Sequence, residues 1–189
     1  MSRGVVRRTD KLMSRDQAEA LLGRAPLAHF ATTGADGMPY SVPNLFIFAD
    51  GFLFTHTARQ SGHFRSNIEH DPRISAAVTE MGTVYPYGAT DCDTTISFAS
   101  VIAFGTTRIE EDPQAKALFF DRLMAKYGDP AWRRPEGFYP RLGDTAVYCI
   151  TIERLTGKAG PLPPMAERWP ARDATRSPGA VPPGGWPNL

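Results

Sequence analysis

Two cysteines in 189 residues, Cys92 and Cys149, are too few for a disulfide framework and lack any zinc-ligand spacing. They read as reduced thiols, which points to a cytoplasmic protein. Cys92 lies between Asp91 and Asp93, whose negative charge opposes a thiolate, so it is a poor nucleophile. The four histidines, His29, His56, His63 and His70, show no paired spacing with cysteine or carboxylate, and no metal site is expected. An excess of charge of one sign is also lacking. The 21 basic and 20 acidic residues leave a net charge of +1, which gives no electrostatic case for nucleic acid or an anionic membrane as partner. No apolar run approaches the length of a membrane span. The N-terminal arginines have no apolar segment behind them, so no signal peptide is expected. Internal repeats, a catalytic triad and paired catalytic carboxylates are absent as well.

What is present is a succession of short β-runs with few helices. Ser14 and Gln17 fit a capping box, opening a helix through Ala18, Ala20, Leu21 and Leu22 that stops at Gly23. Strands are expected over 27–32 and 39–48, the second interrupted at Pro43 by an edge, a bulge or an end of pairing. Asp50-Gly51 is a hairpin turn signal. After it, Phe52 to His56 reads as a strand whose alternation puts Phe52, Phe54 and His56 on one face. Ser61 is the expected N-cap of a helix that Asp71-Pro72 ends. Further strands are expected over 74–80, 94–107 and 146–153, with a bend or bulge at Gly105. Asp112-Pro113 opens a second long helix, closed by Gly128. This pattern predicts a mainly β fold: a closed or partly closed β-barrel with a few helices. Residues 1–13 read as an arm, 14–158 as the single domain, and 159–189 as a Pro/Gly-rich tail.

The stretch 50–75 organises the chain. A strand delivers hydroxyls and an imidazole to a polar loop, and the helix start that follows carries basic residues. Free backbone N–H groups and the helix dipole make that helix start a plausible anion site.

In the same order the chain carries Arg8-x-Asp10-Lys11; Asp36-Gly37-x-Pro39-Tyr40-x-Val42-Pro43; Asp50-Gly51 with Phe54 and His56; and Asn67-Ile68 with Asp71-Pro72. Cys92-Asp93, Ser100-Val101-Ile102-x-Phe104-Gly105 and Ile152-Glu153-x-Leu155-Thr156-Gly157-Lys158 follow. Jointly these pieces resemble the pyridoxamine 5′-phosphate oxidase-like superfamily of FMN-binding split barrels, closest to its nitroimidazole-resistance (Nim) group. The resemblance implies a homodimer with FMN, or FAD as the alternative, at the subunit interface. By position, Val42, Pro43 and Asn44 would lie beside the isoalloxazine ring. Thr55, His56 and Thr57 would line its ring and ribityl side, with His56 the candidate catalytic residue. Ser61, His63 and Arg65 would surround the phosphate, and Ser97 and Ser100 would approach from the long strand. Where the Nim pattern usually has a lysine, this chain has Phe64, with Arg65 as the nearest charge. The implied function is a flavin-dependent oxidoreductase acting on a small organic molecule, a nitroaromatic among the candidates, with a nicotinamide as candidate electron donor. The alternatives are a non-catalytic flavin- or haem-binding protein and a deazaflavin-dependent reductase.

Overall fold

The computed structural model describes residues 5–85, 95–133, 135 and 137–161. Cys92, Tyr87 and tail residues 162–189 lie outside the described residues.

Among the described residues three α-helices and seven strands follow in the order α1 (Arg15–Arg24), β1 (Ala28–Thr33), β2 (Pro39–Asn44), β3 (Phe46–Ala49), β4 (Phe52–Ala58), α2 (His63–His70), β5 (Arg73–Tyr85), β6 (Thr95–Glu110), α3 (Pro113–Tyr127) and β7 (Thr145–Gly160). The strands form one antiparallel sheet in the order β2-β1-β5-β6-β7-β4-β3. Its two outer strands, β2 and β3, are consecutive in sequence and separated only by Leu45. They do not pair with each other, so the barrel is split along that seam. The end of β2 is tied to β4: Asn44 Nδ2 donates to the His56 carbonyl at 2.7 Å, while Asn44 Oδ1 accepts from Leu45 N at 3.0 Å. Pro43 therefore sits on an edge strand, where its missing N–H removes no ladder bond on the open side.

Several local signals act as the sequence predicts. Ser14 and Gln17 close a reciprocal capping box on α1, and Asp112 caps α3 through Gln114 N and Ala115 N. Asp50 and Gly51 both take positive φ, 54° and 82°, as the β3–β4 hairpin requires. The irregularity expected at Gly105 appears as a register shift between Phe104 and Gly105 against β7. There the strands approach so closely that a Cβ on Gly105 would lie 2.0 Å from the Thr151 carbonyl oxygen.

Other boundaries move. The run over 39–48 is two strands, and the last strand extends to Gly160, because β6 is long enough to pair with Thr156–Gly160 despite their weak strand signal. The expected domain end at Lys158 thus falls inside β7. Ser61 is not the N-cap of α2. Gly62 holds that position with no side-chain cap, and Ser61 Oγ instead lies 2.9 Å from Ser66 Oγ.

Two apolar clusters sit on opposite faces of the sheet. The larger fills the barrel with Leu21 and Leu22 of α1, Phe30, Phe46, Leu53, Val78, Val101, Tyr148 and Ile150, closed by Phe64 and Ile68 of α2. The smaller lies under α3, where Phe119 and Leu123 meet Ile47 and Val147, with Phe54 and Phe120 against them. Phe54 and His56 share this outer face, as alternation along β4 predicts, and Leu53 and Thr55 point inward. Among the described residues no helix is long and apolar enough to cross a membrane.

Candidate functional site

Where β4 ends, β7 begins alongside it, with Ala58 opposite Thr145. The end of β2 comes up on the other side of β4, held by the Asn44–His56 bond. A cleft of about 560 Å³ opens there, lined by Val42, Pro43, Asn44, His56, Thr57, Ala58, Arg141, Asp144 and Thr145. Five of the residues singled out in the sequence, Val42, Pro43, Asn44, His56 and Thr57, meet in this one cavity.

The polar groups on its walls are largely engaged within the protein. Both ends of the Asn44 amide are bonded. Thr57 Oγ1 donates to the Ala58 carbonyl at 2.9 Å, so the 3.0 Å contact with Tyr148 has the phenol as donor. Burial raises the Tyr148 pKa above its usual value, which keeps that proton in place. Arg141 and Asp144 pair at 3.0 Å, leaving the cleft nearly neutral. Arg59 fastens the far wall, its N–H bonding the Asp144 carbonyl at 2.8 Å and its Nη1 the Gly143 carbonyl at 3.1 Å.

His56 is half-buried between this cleft and α3. Its ring centroid lies 5.6 Å from that of Phe119 and 5.3 Å from that of Phe120. Desolvation by these neighbours pushes its pKa below the ordinary value, so the ring is neutral at pH 7. Its Nδ1 is buried without a hydrogen-bond partner among the described residues. An unpaired lone pair there costs less than an unpaired N–H, which favours the tautomer protonated at Nε2.

The remaining candidates fall elsewhere. Thr55 is fully buried and donates to the Leu45 carbonyl at 2.8 Å, so its side chain braces the β2–β3 junction and does not line the cleft. Ser61, His63 and Arg65 gather at the start of α2. His63 stacks on Tyr40 at 5.4 Å, and Arg65 is held by Glu69 at 2.7 Å and by the Arg59 carbonyl at 2.9 Å. Arg65 also acts electrostatically on Tyr148, which links this helix start to Thr57 and the cleft. Phe64 points into the core, edge-on to Tyr148 at 5.0 Å, so a lysine there would be buried. Ser97 and Ser100 of β6 line two other hollows that share no wall with the cleft.

Ala58, Arg141, Asp144 and Thr145 were not legible as site residues. Three of them lie at or next to the end of a Pro/Gly-interrupted connection, and only the pairing of β4 with β7 brings them to the cleft. Among the described residues no cluster of His, Cys, Asp and Glu could hold a metal ion.

A family model described as pyridoxamine 5′-phosphate oxidase matches residues 14–159. No curated protein matches the chain. Among solved structures, a flavocytochrome from Azotobacter vinelandii is similar at TM-score 0.72 and 20% identity, over 97% of this chain and 92% of its own. An FAD- and haem-binding protein from Mycobacterium smegmatis gives TM-score 0.70 and 22% identity, over 82% and 75%. A candidate 5-nitroimidazole antibiotic resistance protein from Bacteroides thetaiotaomicron gives 0.66 and 17%, over 78% and 86%. These likenesses establish a shared split-barrel fold.

Proposed function

The chain belongs to the pyridoxamine 5′-phosphate oxidase family, and from that premise we propose that it is a flavin-dependent oxidoreductase with the flavin ring seated in the cleft between β2 and β4. The observation that carries this reading is the convergence of Val42, Pro43, Asn44, His56 and Thr57, from two strands, on one cavity of about 560 Å³. The walls fit a planar ring system. Asn44 and Thr57 have their polar groups engaged internally, so Val42, Pro43, Ala58 and the neutral imidazole of His56 offer a surface that is cheap to desolvate. FMN is the cofactor proposed, with FAD the alternative. Bound there, it would supply two-electron redox chemistry that no side chain of this site provides.

The chain's own residues then orient and exclude. Asn44 fixes the seam, so the ring's seat keeps one shape. His56 presents a neutral imidazole in the cleft, able to donate from Nε2 to a flavin or substrate acceptor. Arg65 and the N–H groups at the start of α2 offer positive potential for the ribityl phosphate. Ser97 and Ser100 would reach such a ligand only from a second copy of the chain. A homodimer is therefore part of the proposal. The β6–β7 surface that holds Ser100 suits it, being a hollow with Val5, Val6, Ile102 and Phe104 beside Arg154 and Lys158. The substrate proposed is a small organic molecule, a nitroaromatic among the candidates, and the reductant a nicotinamide.

The visible spectrum of the purified protein tests the reading. Twin flavin bands that bleach with reduced nicotinamide and return on adding a nitroaromatic acceptor are expected, with the released chromophore having the mass of FMN. A Soret band, or flavin bands that no nicotinamide bleaches, would instead favour a binding protein. Sedimentation showing a flavin-loaded monomer at micromolar concentration would overturn the dimer.

A further inference from the structure

Behind the cleft lies a second cavity, of about 330 Å³, walled by Phe120, Leu123 and Met124 of α3 and by Tyr139, Pro140 and Leu142 of the segment leading into β7. Arg141 and Thr145 line both cavities, so the two are neighbours across a shared wall. Phe120 forms part of the partition. Its ring is 5.3 Å from His56 on the cleft side and 5.3 Å from Tyr139 on the other. The Tyr139 hydroxyl is turned to Asp121, donating at 2.7 Å, which pins the outer wall to α3.

Among the described residues the lining is apolar except at Arg141 and Thr145, and Arg141 is the one charged residue in it. Its ion-pair partner Asp144 lines the cleft but not this pocket. Both side chains of that pair are well exposed, at 83% and 65%, and so open a pair is weakly held and readily exchanged for a ligand anion. A pocket at the small end of the usual range takes one or two rings and excludes a dinucleotide.

We propose that this pocket selects the acceptor substrate. It takes the apolar ring of a small aromatic molecule bearing one negative charge, with the ring among Phe120, Leu123, Met124 and Leu142 and the anion on Arg141. The charged end of such a molecule then lies at the wall shared with the cleft, which Arg141 and Thr145 line from both sides. The proposal rests on the reading of the cleft as the redox site, but the pocket's ligand class is testable without turnover.

The probes are 8-anilinonaphthalene-1-sulfonate, aromatic with one negative charge, and its uncharged analogue N-phenyl-1-naphthylamine. Each is titrated by fluorescence into the full-length protein, with FMN affinity measured in parallel. Saturable binding of the sulfonate at one site per chain is expected. Met124→Trp, which fills the pocket from α3, should weaken both dyes at least tenfold and leave FMN affinity within twofold. Leu142→Trp fills it from the exposed segment and serves if the helix variant does not fold. Arg141→Gln should weaken the sulfonate about tenfold and the neutral dye less than twofold. Dye affinities unmoved by both fillings, or equal losses for the two dyes in Arg141→Gln, would overturn the proposal. If FMN fails to bind wild type while the dyes respond as expected, the cleft reading falls and the pocket assignment stands.

Discussion

His56 sits where the face of β4 covered by α3 meets the cleft, and its chemistry follows from that position. Phe119 and Phe120 desolvate the imidazole, so the folded protein prefers it neutral. An unfolded chain takes up a proton as pH falls through the ordinary value of 6.5, while the folded chain resists until its own lower pKa. Stability from this group is thus complete above pH 6.5 and is lost as pH falls from there through the folded pKa. Titration of the His56 ring protons by NMR should give a pKa below 6.5, and Phe120→Ala should move it upward. A wild-type value at or above 6.5 would contradict the burial argument. Arg65 poses the complementary case, a charge at the start of α2 already held by Glu69. A phosphate there must compete with that carboxylate, so Arg65→Ala should weaken FMN by about tenfold, the scale of one charge-assisted hydrogen bond. Riboflavin, which has no phosphate, should lose less than twofold. Equal losses in paired fluorescence titrations would mean that Arg65 serves the fold.

At the scale of elements, the sheet must protect the outer edges of β2 and β3, which pair with no further strand among the described residues. On the β3 side α3 does this. Tyr127 Oη accepts from Phe46 N at 3.1 Å and donates to the Phe46 carbonyl at 2.8 Å, and Lys126 Nζ adds a bond to the same carbonyl at 3.2 Å. Burial pushes the Lys126 pKa down to about 8, although the Phe46 ring, 3.9 Å beneath the ammonium, favours its charged form. Tyr127→Phe leaves the buried Phe46 N–H with no acceptor, while Lys126 still serves the carbonyl. An unsatisfied donor costs about 1–3 kcal/mol. The urea midpoint should fall accordingly with the m-value unchanged, and an unchanged midpoint would show that water replaces the phenol.

These elements also show what the sequence can and cannot reveal. The capping residues Ser14 and Asp112, the Asp50-Gly51 turn and the alternation along β4 act through neighbours in sequence, so they are legible. The length of β7 is set by β6, its distant partner, and Gly157 and Gly160 disguise it. Ser61 has the chemistry of a cap, but the loop places Gly62 at the capping position. Thr55 directly precedes the cleft residue His56 in sequence, and the pleat turns it inward.

For the whole molecule, the site is a product of topology. Residues 42–44, 56–58 and 141–145 come together because β4 pairs with β7 while Asn44 pins the end of β2 to β4. The central claim is that this cleft holds the flavin ring. The most direct measurement is an FMN fluorescence titration of wild-type protein and of Ala58→Trp. Ala58 is exposed on the cleft wall, so an indole there fills the cavity without disturbing either core. Wild type should saturate at one FMN per chain, and the variant, with its thermal midpoint unchanged, should bind at least tenfold more weakly. Equal affinity in the two proteins, or no saturable binding by wild type, would contradict the account.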